Sequence, residues 1–121
     1  LKNPGRYRSC SAFAPIVHPM AADWSRPALT AYLGPDEATW RGWDAVTLIA
    51  DGARLPGILI DQGSADSFLA AGLRPWLLEE ACNAASIPLT LRMRDGYDHS
   101  YYFISTFMAE HIAWHSARLS N

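Results

Sequence analysis

Gly57-Ile58-Leu59-Ile60-Asp61 is a continuous apolar run, bounded by Gly57 and, just past Asp61-Gln62, by Gly63. It lacks the period-two alternation of a strand with one wet face. A run of this kind suits a strand covered on both faces, which is the habit of parallel sheets. Downstream, Arg74 to Ala85 reads as a helix with Leu77, Leu78, Ala81 and Cys82 on its apolar side. Leu89 to Arg94 then alternates, with Leu89, Leu91 and Met93 against Thr90, Arg92 and Arg94. That pattern predicts a half-exposed strand near a sheet edge. A last helix is expected from Ser100 to Leu119, with Phe103, Ile104, Phe107, Met108 and Ile112 at helical spacing.

Upstream of the run, a helix is expected from Asp36 to Ala50. Asp36 would cap it, and Trp40, Trp43, Val46 and Ile49 would recur on its face. Residues 15 to 35 are irregular, with prolines at 15, 19, 27 and 35 and a helical turn near Ala28 to Tyr32. Ser9 to Pro15, small residues ended by proline, fits a short strand. Leu1-Lys2-Asn3-Pro4-Gly5 reads as a helix tail with a Pro/Gly stop. The order strand, excursion, helix, strand, helix, strand, helix predicts an α/β fold with parallel strands and right-handed crossover helices. With three strands, the buried one is expected to keep an open side. Residues 1–121 are therefore expected to form the C-terminal half of a larger α/β domain.

Composition narrows the function. The 121 residues are 50% hydrophobic and 18% charged, with ten Lys/Arg against twelve Asp/Glu. That balance is too apolar for disorder and has no basic excess to hold a phosphate backbone, so no nucleic-acid partner is expected. The apolar runs fall far short of the ~18 residues of a membrane span, and no signal-peptide pattern opens the chain. The two cysteines, Cys10 and Cys82, make no disulfide framework and read as reduced thiols of a cytoplasmic protein.

In open α/β sheets, functional groups collect in loops at the carboxyl ends of strands. Two such loops stand out: Gln62-Gly63-Ser64-Ala65-Asp66-Ser67 and Asp95-Gly96-Tyr97-Asp98-His99-Ser100. A carboxylate beside an imidazole fixes the tautomer, leaving Nε2 to take a proton from a hydroxyl nucleophile. The order acid then histidine fits the second and third members of an α/β-hydrolase triad. Spacing alone does not choose between Asp61 and Asp66 as the acid. Asp95 and Asp98 read as turn formers around Gly96. Ser64, Ser67 and Ser100 are the nearby serines, and none sits in a G-x-S-x-G elbow. His111 and His115 lie four apart on a helix, but Glu110 precedes the first, so the zinc motif H-E-x-x-H is not formed. Trp24, in the proline-rich excursion, could line a cleft or pack under a loop.

Gly96-Tyr97-Asp98-His99-Ser100-Tyr101-Tyr102-Phe103-Ile104 resembles the histidine motif of the esterase D family, the S-formylglutathione hydrolases. Ser11-Ala12-Phe13-Ala14-Pro15-Ile16, Tyr32-Leu33-Gly34 and Ile58-Leu59-Ile60-Asp61-Gln62-Gly63 match the same family in the same order. Asn3-Pro4-Gly5-Arg6-Tyr7 resembles its segment after the nucleophile helix, so the likeness spans essentially the whole chain. The resemblance implies His99 as catalytic base and Asp66, the second aspartate of D-Q-G-x-x-D, as triad acid. Asp61 then becomes a structural residue at the strand end. It also implies a substrate-side role for Trp24, although the family's Trp-Gly-x-Lys-Ala-Phe is here Trp24-Ser25-Arg26-Pro27-Ala28-Leu29.

The activity implied is hydrolysis of S-formylglutathione in cytoplasmic formaldehyde detoxification, with no metal or organic cofactor and a homodimeric enzyme. The nucleophilic serine is expected in an N-terminal half outside this chain, without which these residues would be inactive. A general carboxylesterase for small acyl esters is the alternative activity. A catalytically inactive truncated fragment is the reading from another class.

Overall fold

The computed structural model describes residues 1–120. Its centre is β2 (Ile58–Gly63), all of whose residues are buried. β2 pairs in parallel with β1 (Cys10–Phe13) on one side and β3 (Leu89–Arg94) on the other. Ile58 stands across from Cys10 and Leu89, and Asp61 across from Phe13 and Arg92. The apolar run is thus covered on both faces and paired along both edges. The open side expected for the buried strand is not there. The edges of the described sheet belong to β1 and β3, because burial shows in residue type whereas the choice of neighbour does not.

Alternation along β2 sends its side chains to two different layers. Ile58 and Ile60 join Val17, Ile49, Leu78, Cys82 and Ile87 in one core cluster. This layer holds α2 (Ala45–Ala50) and α3 (Pro75–Ala84), the latter opening on a proline whose missing N–H has no partner to lose there. Leu78 and Cys82, one turn apart, are its buried face. Asp61 points the other way, to α4 (Tyr101–Leu119). Beside it Ala14, Leu73 and Phe103 form a second cluster, with Phe13, Tyr97, Ile104 and Phe107 packed against them. α1 (Arg26–Leu33) occupies the excursion and runs longer than the single turn expected.

Two helices depart from their expected form. The segment from Asp36 to Ala50 is not one helix. Asp36 does cap, accepting from the Ala38 amide, but the turns it opens, Glu37–Trp43, are wound as a 3₁₀ segment. Asp44 then turns extended, at φ −124° and ψ 116°, and caps α2 afresh by accepting from the Thr47 amide at 2.9 Å. Its other oxygen accepts from the Met20 amide at 3.0 Å and bonds His18 Nδ1 at 2.7 Å, so a buried second cap resets the chain. In α4, capped by Ser100, the stripe read from residue types is partly wrong: Ile112 is 62% exposed whereas His111 is 3% exposed. The inward face of α4 crosses Ser11 and Asp61, and polar groups there require a polar partner.

Leu1 to Asn3 lie in no helix; Asn3 opens a turn closed by the Arg6 amide at 3.3 Å. Among the described residues no helix is long and apolar enough to cross a membrane.

Candidate active site

The carboxyl ends of β2 and β3 lie side by side, and the loops leaving them are stitched together. The Ser64 amide donates to the Arg94 carbonyl and the Ala65 amide to the Tyr97 carbonyl, both at 2.9 Å. Ser64 Oγ accepts from the Gly96 amide at 2.9 Å and donates to Asp95 Oδ1 at 3.2 Å. Gly96, at φ 74°, makes the turn that aims the second loop back over the first. A β-carbon on Gly63 would meet the Tyr97 carbonyl oxygen at 2.2 Å, so only glycine lets the two loops touch.

Asp66 lies inside this junction with its side chain fully buried. Its Oδ1 accepts from the Phe68 amide at 2.8 Å, a local turn two residues long. Its Oδ2 accepts from Gln62 Nε2 at 3.0 Å and lies 2.7 Å from His99 Nδ1. In a neutral ring that donates from Nδ1, Nε2 is the basic nitrogen. His99 directly precedes the Ser100 cap of α4, its side chain 44% exposed, with the Phe68 ring edge-on at 5.3 Å between centroids.

His99 opens on an apolar cleft of about 390 Å³, lined by Ala14, Ile16, Trp24, Phe68 and Leu73. Trp24 does both things its position allows: it walls this cleft and packs on a loop. Its indole lies on Gly72, where a β-carbon would come within 2.2 Å of Nε1. Ala14 holds a left-handed backbone (φ 44°) at the end of β1, its amide tied to the Asp61 carbonyl at 2.9 Å. Non-glycine residues in that region are strained, and such strain gathers at functional sites.

Asp61, the other candidate acid, is turned away from His99. Its carboxylate takes Arg94 Nε at 2.9 Å and one terminal Arg94 nitrogen at 3.4 Å, with His111 Nε2 at 2.9 Å. Burial alone would lower the Arg94 pKa, but its bonds to Asp61 and Glu110 outweigh that and hold it above the ordinary value. Ser64 is engaged in the loop junction, Ser100 caps α4, and Ser67 is exposed. His115 bonds Ser9 Oγ at 2.7 Å and Ser11 Oγ at 2.8 Å. Among the described residues no group of three or more His, Cys, Asp or Glu side chains is placed to hold a metal ion.

Residue types alone do not mark Gln62, Gly63 or Phe68 for their parts in this site. Gln62 and Gly63 stand beside the acid in a recognisable pattern, which is the available signal. Phe68 has none. What the arrangement can do chemically follows from its geometry: a buried carboxylate orients an imidazole and leaves its other nitrogen able to take a hydroxyl proton.

A family model described as "Putative esterase" matches residues 1–114. The S-formylglutathione hydrolases of Mus musculus and Rattus norvegicus are 50% and 48% identical over 123 residues, covering 99% of this chain and 43% of each relative. That of Paracoccus denitrificans (strain Pd 1222) is 49% identical over 116 residues, 96% of this chain and 41% of its own length. A solved S-formylglutathione hydrolase from Agrobacterium tumefaciens superposes with a TM-score of 0.94 at 67% identity, over 98% of this chain and 43% of that one. The chain thus spans less than half the length of the relatives it matches. With its parallel sheet, its two stitched loops and a family match over nearly its whole length, the chain belongs to the esterase family.

Proposed function

We propose that these residues supply the acid and base of a serine thioesterase that hydrolyses S-formylglutathione to glutathione and formate. The observation that carries this reading is the 2.7 Å bond between buried Asp66 and His99 at the mouth of an apolar cleft. A serine from a part of the protein outside these residues attacks the formyl carbon while His99 Nε2 takes its proton. Asp66 holds the ring and stabilises the imidazolium. Collapse of the tetrahedral intermediate breaks the C–S bond, and the imidazolium returns its proton to the departing sulfur. His99 then deprotonates a water that attacks the formyl ester, releasing formate and restoring the serine. The oxyanion donors, like the serine, come from outside these residues.

The free thiols of Cys10 and Cys82 are compatible with a reducing cytoplasm, where formaldehyde detoxification is the setting this reading implies. A homodimer of the complete protein is the expected assembly. One observation favours a second reading, a carboxylesterase for small acyl esters. The part of the cleft wall these residues supply is apolar, with Ala14, Ile16, Trp24, Phe68 and Leu73 beside His99, and so fits a short acyl chain. The kcat/KM of the complete enzyme on S-formylglutathione against an aryl acetate separates the two: strong preference for the thioester supports the first, and parity supports the second. The 121-residue chain alone is expected to show no acyl-enzyme burst.

A further inference from the structure

Arg94 ends β3, and its side chain and its carbonyl do different jobs. The guanidinium straddles the buried Asp61 carboxylate, and its terminal nitrogen also reaches Glu110 of α4 at 2.7 Å. It stacks on the Phe107 ring of the same helix, 3.9 Å from the centroid. Asp61 is held in turn by His111, whose Nδ1 lies 2.9 Å from Ser11 Oγ. One buried carboxylate thereby joins β2, β3 and α4, with β1 attached through Ser11. The Arg94 carbonyl, at the other end of the same residue, accepts from the Ser64 amide at 2.9 Å and from the Tyr97 amide at 3.4 Å. Ser64 leads to Asp66 and Tyr97 leads to His99. The two loops of the site therefore share one acceptor atom, on a residue whose side chain is clamped below them.

We propose that Arg94 is a positioning residue for the Asp66–His99 pair: its clamp on Asp61 and Glu110 sets where its carbonyl stands, and that carbonyl sets the gap between the two loops. This rests on the reading of Asp66 and His99 as acid and base. A guanidinium held between two carboxylates has little freedom to move, since a shift away from Asp61 takes the Arg94 charge from a fully buried carboxylate that would then keep only its bond to His111. Lysine keeps the charge but loses the two-pronged grip on Asp61.

The test is steady-state kinetics of the complete enzyme with Arg94→Met, Arg94→Lys and Glu110→Gln, alongside the proton NMR signal of the His99 Nδ1–H bonded to Asp66. Arg94→Met should lower kcat by about tenfold or more, as sub-ångström misplacement does. KM should stay within about twofold, because Arg94 does not line the cleft. The downfield Nδ1 signal should weaken or shift, and Arg94→Lys should recover only part of the loss. Arg92→Met, which removes the neighbouring cation bonded to Glu110, serves as the control. If Arg94→Met fails to fold, Arg94→Lys and the half-exposed Glu110→Gln decide the matter. Folded variants with kcat within about twofold of wild type and an unchanged Nδ1 signal overturn the proposal. His99→Ala measured in parallel keeps the two ideas apart: activity surviving there overturns the site itself, whereas an inactive His99→Ala beside normal Arg94 variants overturns only the role of Arg94.

Discussion

Gly63 and Tyr97 meet backbone to backbone: a β-carbon on the glycine would stand 2.2 Å from the tyrosine carbonyl oxygen and 2.7 Å from its carbonyl carbon. Gly63 ends β2 and Tyr97 precedes His99 by two residues, so this contact sets how close the loops that carry Asp66 and His99 come. Gly63→Ala forces the loops apart against an unyielding backbone. It should cost about 1–3 kcal/mol of stability, as overpacking does. In the complete enzyme it should cost about 100-fold in kcat. Thermal unfolding and turnover of the same sample check both; a variant that loses stability but keeps full kcat would show that the contact does not govern the pair.

Replacing the pair itself should act on kcat far more than on KM. His99→Ala removes the base and is expected to cost on the order of 10⁶-fold, and Asp66→Asn about 10⁴-fold by presenting the wrong hydrogen-bond partner to Nδ1. The double variant should be scarcely worse than His99→Ala, since the two groups act as one unit. Additive losses in that cycle would contradict the coupling.

Gly72 seats the Trp24 indole, and a methyl group there would stand 2.2 Å from Nε1. Gly72→Ala should push the indole into the cleft it walls, raising KM for longer acyl groups by about tenfold while sparing the smallest. Comparing formyl, acetyl and butyryl substrates tests this. Equal changes across the series would mean that Trp24 does not shape the acyl site.

Burial pushes both thiols above the ordinary cysteine range. Because the thiolate is the reactive species, alkylation at neutral pH should be slower than for a free cysteine. It should climb about tenfold per pH unit through the alkaline range. Cys82, wholly buried, should react only as fast as the structure opens, and half-buried Cys10 should react first. Mass spectrometry of iodoacetamide-treated protein against pH reads the order and the slope; fast labelling of Cys82 at neutral pH would contradict its burial.

Much of the architecture is legible without coordinates. The apolar run at Ile58, the strand from Leu89 and the helix read from Arg74 stand where local pattern puts them, because side-chain periodicity acts within a few residues. The alternation in β3 fails at its end, where Met93 is exposed and Arg94 turns in to Asp61. The split at Asp44 is not legible. The partners that make it a buried cap include His18 and Met20, more than 20 positions away in sequence. The burial of His111 escapes local pattern for the same reason, since its partner Ser11 lies 100 positions away.

Local pattern carries the chain order of the three strands, the α/β class and the two loops that leave β2 and β3. Spacing left two aspartates open and the family resemblance implied Asp66; tertiary structure places Asp66, and not Asp61, against His99. Asp61 and Asp66 are the same residue type five positions apart on one strand and its loop. The fold sends the first down onto Arg94 and His111 and turns the second up to Nδ1. A one-dimensional pattern records spacing along the chain. The 2.7 Å contact spans 33 residues of it, and only the parallel pairing of β2 with β3 brings its two ends together.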